Sequence, residues 1–195
     1  MEAPDYLSEP LARFLDDAAA RQPVPGGGSV SALAAALGVT LGEMSANYSR
    51  ERDDKPEPPA VQACLTKLGR AGACLRQLVA EDMAAYAAYA AARKSPAADR
   101  IAAAAVATLV PLEIAAVAAA AVAVMADLVP VCNRHLLSDL RAGAMLAEAA
   151  ARAVAENVRV NLPDLPEKDA AEAETKLDSI LEHAADALAR TLNHP

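Results

Sequence analysis

The chain has no tryptophan and one phenylalanine, and aromatic residues fill only 3% of its 195 positions. A core built around large rings is therefore excluded. Runs of β-branched residues with a period of two are also missing, which removes the pattern of a half-buried strand. Cys64, Cys74 and Cys132 are odd in number and lack C-x-x-C spacing, so they are expected to be reduced thiols in a cytoplasmic protein. A surplus of basic residues is absent too. The net charge of −8 speaks against nucleic acid as the main partner. No basic-then-apolar stretch opens the sequence, so no secretory signal is expected. His135, His183 and His194 form no cluster and no Glu-x-x-His pair occurs, so no metal site is expected. Ser29 has no histidine near it in the sequence, and spacing gives a hydrolase triad no support.

What is present is alanine. Hydrophobic residues make up 54% of the chain, and alanine supplies most of them. Alanine is the best helix former and is small, so the composition implies helices that approach closely. We expect a single all-α domain over residues 1–195, an antiparallel bundle of five to seven helices. The periodicity places helices at about 8–21, from Ser29 onward, and at 60–93, 97–128, 135–160 and 166–192. A charged, proline-rich loop is expected at 50–59. Val30, Leu33, Leu37, Leu41 and Met44 share one helical face and are expected to be buried. Met83, Met125 and Met145 are read as core as well. Residues 101–126 are almost unbroken apolar sequence, yet Pro111 and Glu113 lie near the middle. A carboxylate there costs roughly 2.5–3.5 kcal/mol on insertion. A buried bundle helix, kinked at Pro111, fits better than a membrane span.

Chemistry is concentrated in a few places. Gly26-Gly27-Gly28-Ser29 precedes a helix-grade run, with Ser29 read as the N-cap. The first turn of such a helix offers unpaired N–H groups and a positive dipole end, which makes a platform for an anion. A plain tight turn between helices explains the same glycines. No Gly-Lys-Ser/Thr follows them and no strand precedes them, which excludes the two common nucleotide loops. Asp82, Tyr86 and Tyr89 lie on one stripe of the third helix. A carboxylate among apolar neighbours has a raised pKa suited to acid–base work, but the residues alone favour the plainer reading of Glu81-Asp82 as an exposed pair on the helix surface. Glu81 is turned about 100° away from Asp82. Asp139, beside Ser138, is explained by its place at a helix N-terminus. Asn157 and Asn161, four apart, suggest side-chain hydrogen bonds, although Asn161 could be a simple C-terminal cap.

Five segments in order resemble the cyclodeaminase/cyclohydrolase family. They are Pro25-Gly-Gly-Gly-Ser-Val-Ser-Ala-Leu-Ala-Ala-Ala-Leu-Gly38, Leu78-Val-Ala-Glu-Asp-Met-Ala-Ala-Tyr86, Val110-Pro-Leu-Glu-Ile-Ala115, Cys132-Asn133 through Ser138-Asp-Leu140, and Ala155-Glu-Asn-Val-Arg-Val-Asn-Leu162. Each is loose alone, and the ordered set is specific. The resemblance implies a homodimeric helical fold acting on one-carbon-substituted tetrahydrofolate, with no cofactor beyond that substrate. It implies Asp82 as the catalytic acid/base, with Gly26, Gly27, Gly28, Ser29, Tyr86, Ser138, Asp139 and Asn157 around the substrate. The implied reaction is hydrolysis of 5,10-methenyltetrahydrofolate to 10-formyltetrahydrofolate, or the related cyclodeamination of 5-formiminotetrahydrofolate. Lys94, Arg134 and Arg141 are candidates to meet the anionic tail. Two departures stand out: Tyr86 where the family has phenylalanine, and a shortened stretch that includes Arg93-Lys94-Ser95-Pro96. The shortening sustains an alternative, a non-catalytic helical dimer that binds a folate or a related heterocycle. A purely structural helical partner is a third.

Overall fold

Prolines set where most of the helices begin. The computed structural model describes residues 4–50 and 58–194 and contains six α-helices: α1 (Leu11–Ala19), α2 (Gly27–Asn47), α3 (Pro59–Ala92), α4 (Ala97–Leu128), α5 (Leu137–Asn161) and α6 (Glu167–Asn193). Pro10, Pro58, Pro96 and Pro166 stand at the N-terminal boundaries of α1, α3, α4 and α6. Proline lacks an N–H that would be unpaired there anyway, and its fixed φ suits the entry. Short 3₁₀ turns at Val129–Val131, Arg134–Leu136 and Leu162–Asp164 complete the connections. Among the described residues there is no strand. Most of the loop expected at 50–59 falls on residues 51–57, outside the described residues.

Four helices close a ring in which α2 packs on α3, α3 on α4, α4 on α5 and α5 back on α2, while α6 lies against α4 and α5. Neighbours run antiparallel. Gly28 lies against Asp82 while Gly42 lies against Leu68, so α2 ascends where α3 descends. Leu68, Leu75, Leu78, Met83, Ile114, Met125 and Leu140 are fully buried between them. Both α2 and α4 are long and apolar enough to cross a membrane, and about half of each is buried inside the bundle.

The buried face of α2 is not the one that hydrophobicity suggested. Val30 and Leu37 are 43% and 53% exposed, while Ala32, Ala35, Ala36, Val39 and Ala46 are buried. Leu33, Leu41 and Met44 are only partly covered, and Met145 on α5 is exposed. The reason is backbone proximity. A Cβ on Gly38 would lie 2.6 Å from the Gly143 carbonyl oxygen, and one on Gly143 would lie 2.5 Å from that of Gly38. At that separation α2 and α5 accept only small residues between them, so the larger side chains are turned outward. Met83 and Met125 are core, as expected.

Candidate active site

The cap of α2 stands three residues earlier than the sequence suggested. Gly26 is the cap, and Ser29 sits at the third helical position instead of capping. The Gly26 N–H donates to Ser29 Oγ at 3.0 Å, and the first helical bond runs from the Val30 N–H to the Gly26 carbonyl at 3.0 Å. The N–H groups of Gly27, Gly28 and Ser29 therefore have no partner within the helix.

Against this turn lies Asp82. Helix rotation leaves Glu81 exposed and turns Asp82 inward, where it is only 9% exposed. Its carboxylate fills the space a side chain on residue 28 would take: a Cβ on Gly28 would lie 1.9 Å from Asp82 Oδ1. Burial pushes the Asp82 carboxyl above the usual carboxylate range, and hydrogen bonds from the Ser29 N–H and hydroxyl draw it partway back. Desolvation is the larger influence.

A hollow of about 180 Å³ opens beside this carboxylate, lined by Gly26, Gly27, Gly28, Asp82, Tyr86, Pro111, Asn157 and Asn161 among others. Asn157 packs on Gly27, where a Cβ would lie 3.0 Å from its Oδ1. Tyr86 is half-exposed at the rim. The structure thus brings together the glycine turn, Ser29, Asp82, Tyr86 and Asn157. Ser138 and Asp139 are not brought there. They occupy the first turn of α5, eighteen residues before Asn157 and so ~27 Å away along that helix. Asp139 is placed to complement the helix dipole.

Pro111 and Asn161 supply a feature that the sequence reading missed. Proline at 111 has no N–H, so the carbonyl four residues earlier, on Ala107, loses its helical donor. The Asn161 side-chain amide crosses from the end of α5 and donates to that oxygen at 2.8 Å. Asn161 is therefore not a cap for its own helix. It repairs α4 at the wall of the hollow. A proline inside a helix with an asparagine at the end of a later helix was the available signal, but nothing local joined them.

The cations proposed for an anionic tail are elsewhere. Arg141 donates to the Thr191 and His194 carbonyls at the end of α6, Arg134 stands against His135, and Lys94 is exposed beyond the hollow. Among the described residues no group of three or more His, Cys, Asp or Glu side chains is placed to hold a metal ion.

The sequence model of the formiminotransferase-cyclodeaminase family matches residues 10–179. The mouse formimidoyltransferase-cyclodeaminase is 32% identical over 171 residues, covering 82% of this chain and 31% of that protein. The pig protein of the same name is 30% identical over 192 residues, covering 91% and 35%. The chain thus spans about a third of the length of the curated relatives it matches. A crystal structure of formiminotetrahydrofolate cyclodeaminase from Thermotoga maritima superposes with a TM-score of 0.90 at 25% identity, covering 95% of this chain and 94% of that one.

Proposed function

The chain belongs to the formiminotransferase-cyclodeaminase family, and from that premise we propose that it is a folate enzyme of the cyclodeaminase type with Asp82 as its acid/base. The observation that carries this reading is the Asp82 carboxylate, buried against Gly28 beside the open N-terminus of α2. Burial keeps its pKa raised, so it can both hold and release a proton under mild conditions. In cyclodeamination, N10 of 5-formiminotetrahydrofolate attacks the carbon of the protonated formimino group, and the Asp82 carboxylate takes the N10 proton. It passes that proton to the departing ammonia, which leaves the 5,10-methenyl cation beside an ionised carboxylate. The ionised carboxylate stabilises that cation electrostatically.

The cyclohydrolase reaction uses the same group. A water attacks the bridging carbon of 5,10-methenyltetrahydrofolate, Asp82 takes one of its protons and passes it to N5 as the N5–C bond breaks, and the remaining hydroxyl proton is released to solvent as the 10-formyl carbonyl forms. The Gly27 and Gly28 N–H groups favour the carbonyl oxygen that develops. We also propose that the protein acts in the cytoplasm and as a homodimer. Support for the dimer comes from Val30, Leu37, Met145 and Leu146, apolar side chains left exposed on α2 and α5 around their close crossing.

Two assays test the activity. Purified protein is mixed with 5-formiminotetrahydrofolate, and ammonia release is followed together with the near-ultraviolet absorbance of the methenyl product. In parallel, 5,10-methenyltetrahydrofolate is supplied and its loss is followed against the uncatalysed rate. Turnover in the first assay establishes deamination, and turnover in the second establishes hydrolysis. Binding of either compound without turnover overturns the enzymatic reading in favour of a folate-binding module.

A further inference from the structure

Next to the Asp82 hollow lies a larger cleft, about 380 Å³, lined by Tyr89, Ala92, Arg93, Ala97, Arg100, Ile101, Pro163 and Asp164. The same elements build both. Going from hollow to cleft, α3 passes from Tyr86 to Tyr89 and Arg93, α4 from Ala107 back to Arg100, and the end of α5 from Asn161 to Asp164. Asp82 is separated from Tyr89 by ~10 Å and from Arg93 by ~16 Å along α3.

The cleft's chemistry differs from that of the hollow. Arg93 lies over the Tyr89 ring, 6.0 Å from its centre, and Arg100 donates one N–H to the Ser95 carbonyl at 3.0 Å. Neither forms an ion pair among the described residues, whereas Arg13, Arg152, Arg159, Lys176 and Arg190 all do. The cleft's one carboxylate, Asp164, accepts a hydrogen bond from the Tyr89 hydroxyl. Other basic side chains, Arg21, Arg70 and Lys94 among them, also lack an ion pair among the described residues; what marks Arg93 and Arg100 is that both line one cleft whose single carboxylate is engaged by Tyr89. Guanidinium is the side-chain group that pairs with a carboxylate through two parallel hydrogen bonds.

Size points the same way. A pocket that encloses a drug-sized ligand usually offers roughly 300–1,000 Å³, and the hollow alone falls short. The cleft, at about 380 Å³, lies within that range and supplies the room that the hollow lacks. We infer that the Arg93–Arg100 cleft holds the carboxylate-bearing end of the same elongated ligand whose reacting end lies at Asp82. This rests on the folate reading of the hollow.

Calorimetric binding of tetrahydrofolate and of tetrahydropteroate, which lacks the glutamate, tests the inference on the parent protein and on the Arg93→Ala/Arg100→Ala variant. The parent should prefer tetrahydrofolate by about tenfold. The double variant should lose that preference while keeping its affinity for tetrahydropteroate and its melting temperature. Lysine at both positions should restore part of the preference, and raising the salt should shrink it. Equal affinity of the parent for the two compounds overturns the cleft assignment and leaves the folate reading standing. If neither compound binds, the folate reading fails and the shared-ligand assignment fails with it. Glutarate that binds the parent but not the double variant under those conditions identifies a site for a separate small anion instead.

Discussion

At the scale of single residues, the decisive group is Asp82. Asp82→Asn keeps size and polarity but cannot accept and return a proton. Folate affinity should hold within a few-fold while turnover falls by about 10²–10⁴. The acid limb of kcat/KM in the parent should lie above the ordinary aspartate range, because burial raises the carboxyl. The same shift has a sign in stability. The native carboxyl keeps its proton to higher pH than the unfolded chain does, so its contribution is full below about pH 3.9 and is lost as pH rises through the raised native value. Asp82→Asn removes that loss, so its melting temperature should gain on the parent's as pH rises from about 4. A gap that does not change with pH would show that the native carboxyl is not shifted. Gly28→Ala probes the same contact from the other side. Its Cβ would lie 1.9 Å from Asp82 Oδ1, so the carboxylate must move. Turnover should fall by at least about 10², while urea unfolding changes little, since the atom displaced belongs to a side chain at a hollow. Equal damage to folding and turnover would make the glycine a packing residue only.

At the scale of helices, α4 depends on a partner far away in sequence. Asn161→Ala leaves the Ala107 carbonyl without a donor in a half-buried place, at an expected cost of about 1–3 kcal/mol. Pro111→Ala restores an N–H that can bond that carbonyl within α4. In the Pro111→Ala background, Asn161→Ala should therefore cost much less, and a double-mutant cycle in urea measures the difference. Additive effects would mean that the two residues act separately. Helix α2 carries a different lesson. Its hydrophobic period correctly implied a helix, but it identified the wrong face as the core, because Gly38 and Gly143 bring two backbones together and leave room only for small residues at the crossing.

At the scale of the whole molecule, four antiparallel helices form the ring, and the site lies at one end of it, where the start of α2 meets the later part of α3 and the end of α5. The apolar side chains left outside should be covered by a second copy. Leu37→Lys, at a 53% exposed position, should shift the protein toward monomer in sedimentation at micromolar concentration with little change in monomer helicity. A parent that is already monomeric there overturns the dimer.

The sequence by itself determined the all-helical class, the six helices and much of their extent, because alanine content, proline stops and apolar periods are local properties. α4 was read over the residues it occupies, 97–128. The sequence also singled out the glycine turn and Asp82, through a residue pattern and a family resemblance. Only the tertiary structure decided that Asp82 faces Gly28 and Ser29 from another helix, that Asn161 serves Pro111, and that Arg93 and Arg100 share a cleft. The reason is the same each time. The first two are contacts between residues 50 or more positions apart, and the two arginines form a cleft only because Pro163 and Asp164 close it from the far end of another helix. All three are set by how closely helices approach, and that separation depends on the small residues at every crossing at once.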